Sequence, residues 1–146
     1  TTAFASLFTR RITAAMIDGL RVSHEIFEIT PEDSTVTLSN IEIDHGMIMV
    51  KGNVILSGRF QGIANDDWPL MIVTGSIGSI AHEEKWEWKG AIGVEREAFL
   101  AGPIDFTGTI SAKSIELFGT VQGKSGSPEP TLGFTPLITR RAYQER

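Results

Sequence analysis

Short segments rich in β-branched residues, each bounded by turn residues, fill the centre of this chain. The 146 residues include 7 valines, 17 isoleucines and 14 threonines. Two heavy atoms on Cβ suit a pleated strand better than a helix. Gly, Asn, Asp or Pro separate the strand-like segments, which lie at 34–43, 47–50, 54–60, 70–80, 85–94, 104–110 and 114–121. This spacing predicts a mainly β fold, an antiparallel sandwich or jelly roll, with a β-solenoid as the alternative.

The segment 34–43 shows how the apolar pattern predicts a strand with a bulge. Val36 and Leu38 alternate with polar residues, and Ile41 and Ile43 resume the alternation after a shift of one position. A period of two indicates a strand with one buried face, and an extra residue inside the strand indicates a bulge.

The N-terminal region is predicted to be the one helix, over about residues 3–18. Apolar side chains recur there at intervals of three and four residues, and Gly19 is a suitable C-cap. Such a helix would cover the sheet, dock on another chain, or lie on a membrane surface. Phe4 and Phe8 would belong to its apolar face.

Glycines set a rhythm that favours the solenoid alternative. Intervals of 17, 15, 18 and 15 residues separate the glycines at 58, 75, 90, 108 and 123. A β-solenoid would produce similar spacing, because each coil turns its corners at matched positions while apolar residues stack inside.

A longer phrase within this rhythm carries a family resemblance. Residues 106–123, FTGTISAKSIELFGTVQG, resemble one rung of a bactofilin, and residues 54–62 are similar. The resemblance covers about residues 52–123. It implies a β-helix that polymerises end to end, as in those bacterial cytoskeletal proteins. The insertions at 65–69 and 82–88 and the uneven intervals depart from the bactofilin pattern.

Charge divides the chain into three parts. The net charge is +2 for residues 1–22, −9 for 23–130 and +2 for 131–146, which gives −5 in total. We therefore predict an N-terminal helical or arm segment (1–22), a β domain (23–123) and a C-terminal arm (124–146). Basic arms on an acidic body favour contact between copies or with an acidic lattice, because arginine pairs well with carboxylates. The predicted interface residues are Phe4, Phe8, Arg10, Arg11, Phe134, Leu137, Ile138, Arg140, Arg141 and Tyr143.

The tryptophans are the other candidate contact residues. Trp86 and Trp88 are two positions apart and should project from one face of a strand, near Trp68. If covered, they would be core residues or interface anchors; if exposed, they would form a platform for a sugar or for a protein.

Residue types argue against an enzyme. There is no cysteine, and His24, His45 and His82 lack the spacing of metal ligands. We interpret the carboxylate pairs as solvated turns. Residues 119–125 are one residue shorter than the motif of a phosphate-binding loop. The prediction is a protein without catalytic residues, metal or cofactor.

These observations predict a non-enzymatic structural protein that associates with itself or docks on a repeating assembly. Its small, cysteine-free, β-rich body with arms is similar to capsid cement and decoration proteins, which places it in a virion with a capsid or other lattice protein as partner. The alternatives are a bactofilin-like filament, cytoplasmic and in contact with a membrane, and a carbohydrate-binding module. The acidic body predicts no nucleic-acid partner, and no apolar run reaches the roughly 20 residues of a transmembrane helix.

Overall fold

The fold is a single stack of β-coils along one axis, in which each coil lies on the one before it. The computed structural model describes residues 9–80 and 82–124. The strands in those residues are β1 (Thr9–Ala14), β2 (Met16–Asp18), β3 (Arg21–Ser23), β4 (Ile26–Pro31), β5 (Thr35–Asp44), β6 (Met47–Val50), β7 (Asn53–Ile63), β8 (Met71–Val73), β9 (Ile77–Ser79), β10 (Trp86–Val94), β11 (Glu97–Ala101), β12 (Ile104–Ser111), β13 (Ser114–Phe118) and β14 (Val121–Lys124).

Every strand pairing among the described residues is parallel, and the chain forms a β-solenoid of about six turns. Each turn contributes to three ladders of strands, which we call the first, second and third faces. The first face contains β1, β4, β6, β8 and the C-terminal halves of β10 and β12. The second face contains β2, the N-terminal halves of β5 and β7, β9, β11 and β13. The third face contains β3, the C-terminal halves of β5 and β7, the N-terminal halves of β10 and β12, and β14.

The predicted antiparallel sandwich or jelly roll is therefore wrong, and the solenoid alternative gives the fold. Alternation of apolar residues reports which side of a strand is buried, but it does not report the direction of the neighbouring strand. The direction is shown by the offset between partners, which stays constant along a pair of strands: Thr9 pairs with Ile26 and Ala14 pairs with Pro31, each 17 residues later. A constant offset means that the chain returns to the same face in the same direction.

The predicted N-terminal helix is wrong wherever the structure describes it. Residues 9–14 and 16–18 are strands that pair with β4 and β5, so this segment forms the first coil of the solenoid. Gly19 has a φ of +81°, and it turns the corner between β2 and β3 rather than ending a helix. Residues 1–8 of the predicted helix lie outside the described residues.

The core consists of inward columns in which equivalent positions of successive coils stack. One column of the first face contains Ile12, Ile29, Val50, Val73 and Val94. From Ile29 to Val94 its side chains are buried. Burial of branched aliphatic side chains at about 25 cal/mol per Å² of apolar surface is the main source of stability in such a stack.

The bulge predicted in segment 34–43 is confirmed. The pairing of β5 with β7 shifts between Ser39 and Ile41, and Asn40 has a φ of +55°. Its side chain bridges neighbouring coils: Asn40 Nδ2 donates to Asp18 Oδ1 (2.8 Å), and Asn40 Oδ1 accepts from the backbone N–H of Arg59 (3.1 Å). The bulge therefore forms a corner whose polar groups are satisfied along the stack.

Two insertions lengthen the fourth coil, and they correspond to the interruptions noted in the sequence. The first insertion, 64–70, places Trp68 over the outer side of the first face, against Ile26 and Met47. The second, around 80–85, brings the His82 imidazole parallel to the Trp86 indole, with ring centres 3.7 Å apart. A solenoid accommodates such loops at its corners, so the inward columns continue through this coil.

Candidate assembly surfaces

The N-terminal end of the solenoid is sealed in part by Arg10. Arg10 is the register partner of Phe27, and the next coil continues this core-facing column with Ile48. Its guanidinium carbon lies 4.4 Å above the Phe27 ring centre, and Nε and Nη2 donate to the two Glu25 carboxylate oxygens at 2.7 and 2.8 Å. This forked ion pair leaves the Arg10 charge engaged within its own chain.

Arg11 also pairs within the chain, on the outer side of the first face. Its Nε donates to Glu28 Oε1 (2.5 Å), and Lys51 Nζ lies 2.9 Å from Glu28 Oε2. The hydrogen bond from Lys51, assisted by the one from Arg11, lowers the pKa of Glu28 despite the opposing effect of partial burial. The Glu28 carboxylate thus connects the first three coils.

The core column of the first face is open at this same end. Ile12 is its last member and is 37% exposed, whereas its neighbour Ile29 is fully buried. The strands of the end coils also have described partners on one side only: β1 pairs with β4, and β2 and β3 pair with β5. At the other end, β13 pairs with β11, and β14 pairs with β12. Their remaining backbone donors and acceptors point along the solenoid axis, which is the situation of an edge strand.

The third face is a shallow, charged groove. Its outer columns place Arg21 beside Glu42 and Ser23 beside Asp44, and they continue through Glu87 and Asp105. Arg21 pairs with Glu42 (3.5 Å) and with Asp44 (3.2 Å). Lys85 Nζ lies 3.6 Å from Glu87 Oε2 and 3.9 Å from Asp105 Oδ2. These exposed ion pairs are of the kind that contributes little to stability.

A pair of histidines lies at the corner that follows this groove. The His24 and His45 rings stack with centres 5.4 Å apart, and both residues have positive φ, 51° and 55°. His45 Nδ1 donates to Asp44 Oδ1 (2.6 Å), and this hydrogen bond is the main reason that the pKa of Asp44 is lowered.

The second face exposes apolar side chains that the sequence analysis missed. One outer column runs through Met16, Thr37, Ile55, Gly78 and Phe99. The exposed fractions are 59% for Met16, 37% for Ile55 and 44% for Phe99. Ile80 and Phe118 are exposed on the adjacent column. The signal was hidden because an exposed residue such as Phe99, between buried Ala98 and Leu100, makes its strand look uniformly apolar in sequence.

The tryptophans are core residues. Trp86 and Trp88 project from the same side of β10, as predicted, and that side faces inward. Trp86 Nε1 donates to the Gly58 carbonyl (2.7 Å), and Trp88 stacks on Phe106 with ring centres 5.2 Å apart. Trp68 is buried on the outer side of the first face. A sugar-binding platform requires exposed indole faces, and these three side chains do not supply them.

The remaining predicted interface residues cannot be placed on these surfaces. Of the ten predicted interface residues on the terminal segments, only Arg10 and Arg11 belong to the described residues. The others lie outside them: Phe4, Phe8, Phe134, Leu137, Ile138, Arg140, Arg141 and Tyr143.

The described part of the chain gathers no group of three or more His, Cys, Asp or Glu side chains able to hold a metal ion. Residues 9–80 and 82–124 also contain no helix that is long and apolar enough to cross a membrane.

Comparison with protein-family models, curated proteins and solved structures finds no match to this chain. The class that the geometry defines is a β-solenoid of about six turns.

Proposed function

We propose that this chain is a non-enzymatic structural protein that polymerises end to end, with the solenoid as the repeating unit of a filament. The support is the fold class together with the resemblance of residues 52–123 to bactofilins, whose β-helices join in that way. The observation that carries the proposal is the open N-terminal end, where β1, β2 and β3 each have one described neighbour and Ile12 leaves its core column uncovered.

Docking of a second copy on this end would continue both the sheet and the core. Each edge strand would gain a parallel neighbour at the ordinary spacing of about 4.8 Å, and the backbone groups that point along the axis would find partners. Ile12 would leave water and enter a continuous column. Main-chain pairing supplies affinity in such strand addition, and the buried side chains set the register.

The contacts of Arg10 and Arg11 are compatible with this joint. Both guanidinium groups are neutralised by Glu25 and Glu28 of their own chain. An incoming coil therefore meets cations that are already paired, and burying a paired cation costs less free energy than burying an unpaired one.

The experiment is electron microscopy and sedimentation of the full chain beside two variants. Ile12→Asp places a carboxylate in the open column at the joint, so filaments should be lost while the circular dichroism of the β fold is retained. Ile63→Asp is the matched control, because Ile63 is an isoleucine that is 46% exposed on the third face, away from both ends. Filaments of Ile12→Asp equal to wild type, or a wild-type chain that stays monomeric at all soluble concentrations, would refute the proposal.

The capsid-decoration hypothesis remains a prediction from the sequence. It depends on the terminal segments, and residues 1–8 and 125–146 lie outside the described residues. No contact in the described solenoid favours it over the filament.

A further inference from the structure

The loop over residues 80–85 is tied to the coil that follows it through one side chain, His82. Its Nε2 lies 2.5 Å from the carbonyl oxygen of Ala101, which ends β11, and its Nδ1 lies 2.8 Å from the carbonyl oxygen of Glu84. Ala101 is itself held in place, because its N–H donates to Ser79 Oγ (2.7 Å). The imidazole therefore bridges the fourth and fifth coils at the corner between the second and third faces.

The two acceptors fix the protonation state in which both contacts of His82 are hydrogen bonds. A carbonyl oxygen accepts and never donates, so each ring nitrogen must carry a proton to bond its partner. A neutral imidazole has one N–H group, and its other nitrogen would turn a lone pair toward a carbonyl oxygen. Only the imidazolium cation donates to Glu84 and Ala101 at the same time.

The His82 ring also covers an aromatic side chain of the core. It lies parallel to the Trp86 indole, with an angle of 2° between the planes and 3.7 Å between the ring centres. Trp86 is fully buried, so the imidazole closes one face of the indole against water. A cation over the face of an indole is attracted by the ring electrons. The protonation state that satisfies both carbonyls is thus also the one that stacks favourably on Trp86.

Charged side chains on the surrounding elements leave His82 to these neutral partners. The elements around the ring carry Glu83, Glu84 and Lys85 on its own loop, Arg59 on β7, Glu87 on β10, Glu97 on β11 and Asp105 on β12. Lys85 Nζ lies near the Glu87 and Asp105 carboxylates, Arg59 donates to Gln61, and Glu97 accepts from Ser76 Oγ. None of these carboxylates forms an ion pair with His82. Two carbonyl groups and an indole therefore hold the ring in its closed position.

We propose that His82 is a proton-dependent latch, which closes residues 80–85 over Trp86 as the imidazolium and releases the indole face when the ring is neutral. A histidine side chain changes its charge between about pH 5 and about pH 8. The closed loop favours the protonated ring, so closure is complete at the acid end of this range and is lost as the pH rises through it. The latch thus couples proton concentration to the exposure of an aromatic surface at one corner of the solenoid. It operates within a single chain, so it does not depend on filament formation.

Hydroxyl-radical footprinting read by mass spectrometry measures the accessibility of each indole in the full chain. Trp86 should be oxidised about fivefold faster at about pH 8 than at about pH 5, the factor expected when one hydrogen bond of the closed loop is lost. Trp88 is the internal reference, because it is also buried in β10 but stacks on Phe106. Division by the Trp88 rate corrects for the radical yield at each pH.

Two variants separate His82 from the other histidines. The His82→Gln side chain is uncharged at both pH values, with one donor group and one acceptor oxygen, so the normalised oxidation of Trp86 should no longer depend on pH. His45→Gln is the matched control, because it removes a histidine that stacks on His24 at another corner. It should keep the wild-type response.

A second measurement on the wild-type chain follows the ring itself. Exchange of the imidazole Cε1 hydrogen, read for each histidine by mass spectrometry, reports ring protonation, and for His82 it should change over the same pH interval as Trp86 oxidation. Equal normalised oxidation of wild type at the two pH values overturns the inference. A pH response that persists in His82→Gln, or one that occurs at a pH where His82 does not change protonation, overturns it as well.

Discussion

Arg10 and Phe27 are register partners, and the guanidinium carbon of Arg10 lies 4.4 Å above the Phe27 ring centre. In later coils this position is apolar: Ile48, Met71 and Ile92 continue the column. A cation that is held by Glu25 thus occupies the place of an aliphatic side chain at the end of the stack.

Arg10→Ala is expected to destabilise the first coil. The loss combines an aromatic contact and a forked ion pair, each worth about 1 kcal/mol at a half-exposed site. The result should be faster amide hydrogen exchange in residues 9–23, with little change in later coils. Arg59→Ala is the matched control, because Arg59 contacts only Gln61 among the bonds of its side chain in the described residues. Equal exchange in the two variants would contradict the sealing role.

Trp86→Phe is expected to cost more stability than Trp88→Phe. Both indoles are buried, but Trp86 Nε1 donates to the Gly58 carbonyl (2.7 Å), whereas Trp88 Nε1 has no hydrogen-bond partner among the described residues. Removing the first donor leaves a carbonyl unsatisfied, which costs about 1–3 kcal/mol. Trp88→Phe removes the same volume but breaks no side-chain hydrogen bond among the described residues, so it should cost less stability by about that amount. Midpoints of denaturant unfolding give the comparison, and a larger loss for Trp88→Phe would contradict the assignment.

The sequence was sufficient to predict strands wherever the apolar alternation was clear. The predicted segment 47–50 coincides with β6, and 104–110 lies within β12. The bulge at Ser39 to Ile41 was also predictable, because the apolar residues change phase there. These features depend on residues close together in the chain.

The parts that were not predictable depend on neighbours from other coils. In the first coil Arg10 takes an inward position, which breaks the alternation of β1 and leaves apolar spacings that imitate a helix. The strand β11 was missed because Phe99 faces outward between two buried residues. The apolar side chains exposed on the second face come from several coils, so their proximity is evident only once the register is known.

Glu28 predicts a loss of stability in acid. Its pKa is lowered in the folded protein by Lys51 and Arg11, so its ionised form is favoured by folding. The stabilisation is complete above the ordinary glutamate pKa of about 4.3 and is lost as the pH falls through the lower folded value. Glu28→Gln should lower stability at neutral pH by up to about 1 kcal/mol and should flatten the acid dependence. Glu83→Gln, in an exposed loop, is the control; an unchanged acid slope in Glu28→Gln would contradict the prediction.

Gly108 and Gly93 provide the sharpest test of the coil-to-coil register. Gly108 pairs with Gly90 at the corner between the third and first faces, and its φ is +138°. A Cβ at Gly108 would lie 2.2 Å from the Gly90 carbonyl oxygen, so Gly108→Ala must separate two backbones as well as strain its own. We expect a loss of at least about 3 kcal/mol in the free energy of unfolding, or failure to fold.

Gly93 is the matched control. It lies in β10, and a Cβ placed there would meet nothing within 4 Å. Gly93→Ala should therefore leave the unfolding midpoint unchanged or raise it slightly, since alanine reduces the freedom of the unfolded chain. If the two variants were equally stable, the parallel stacking of Gly90 on Gly108 would be wrong, and with it the register that aligns every coil from β10 onward.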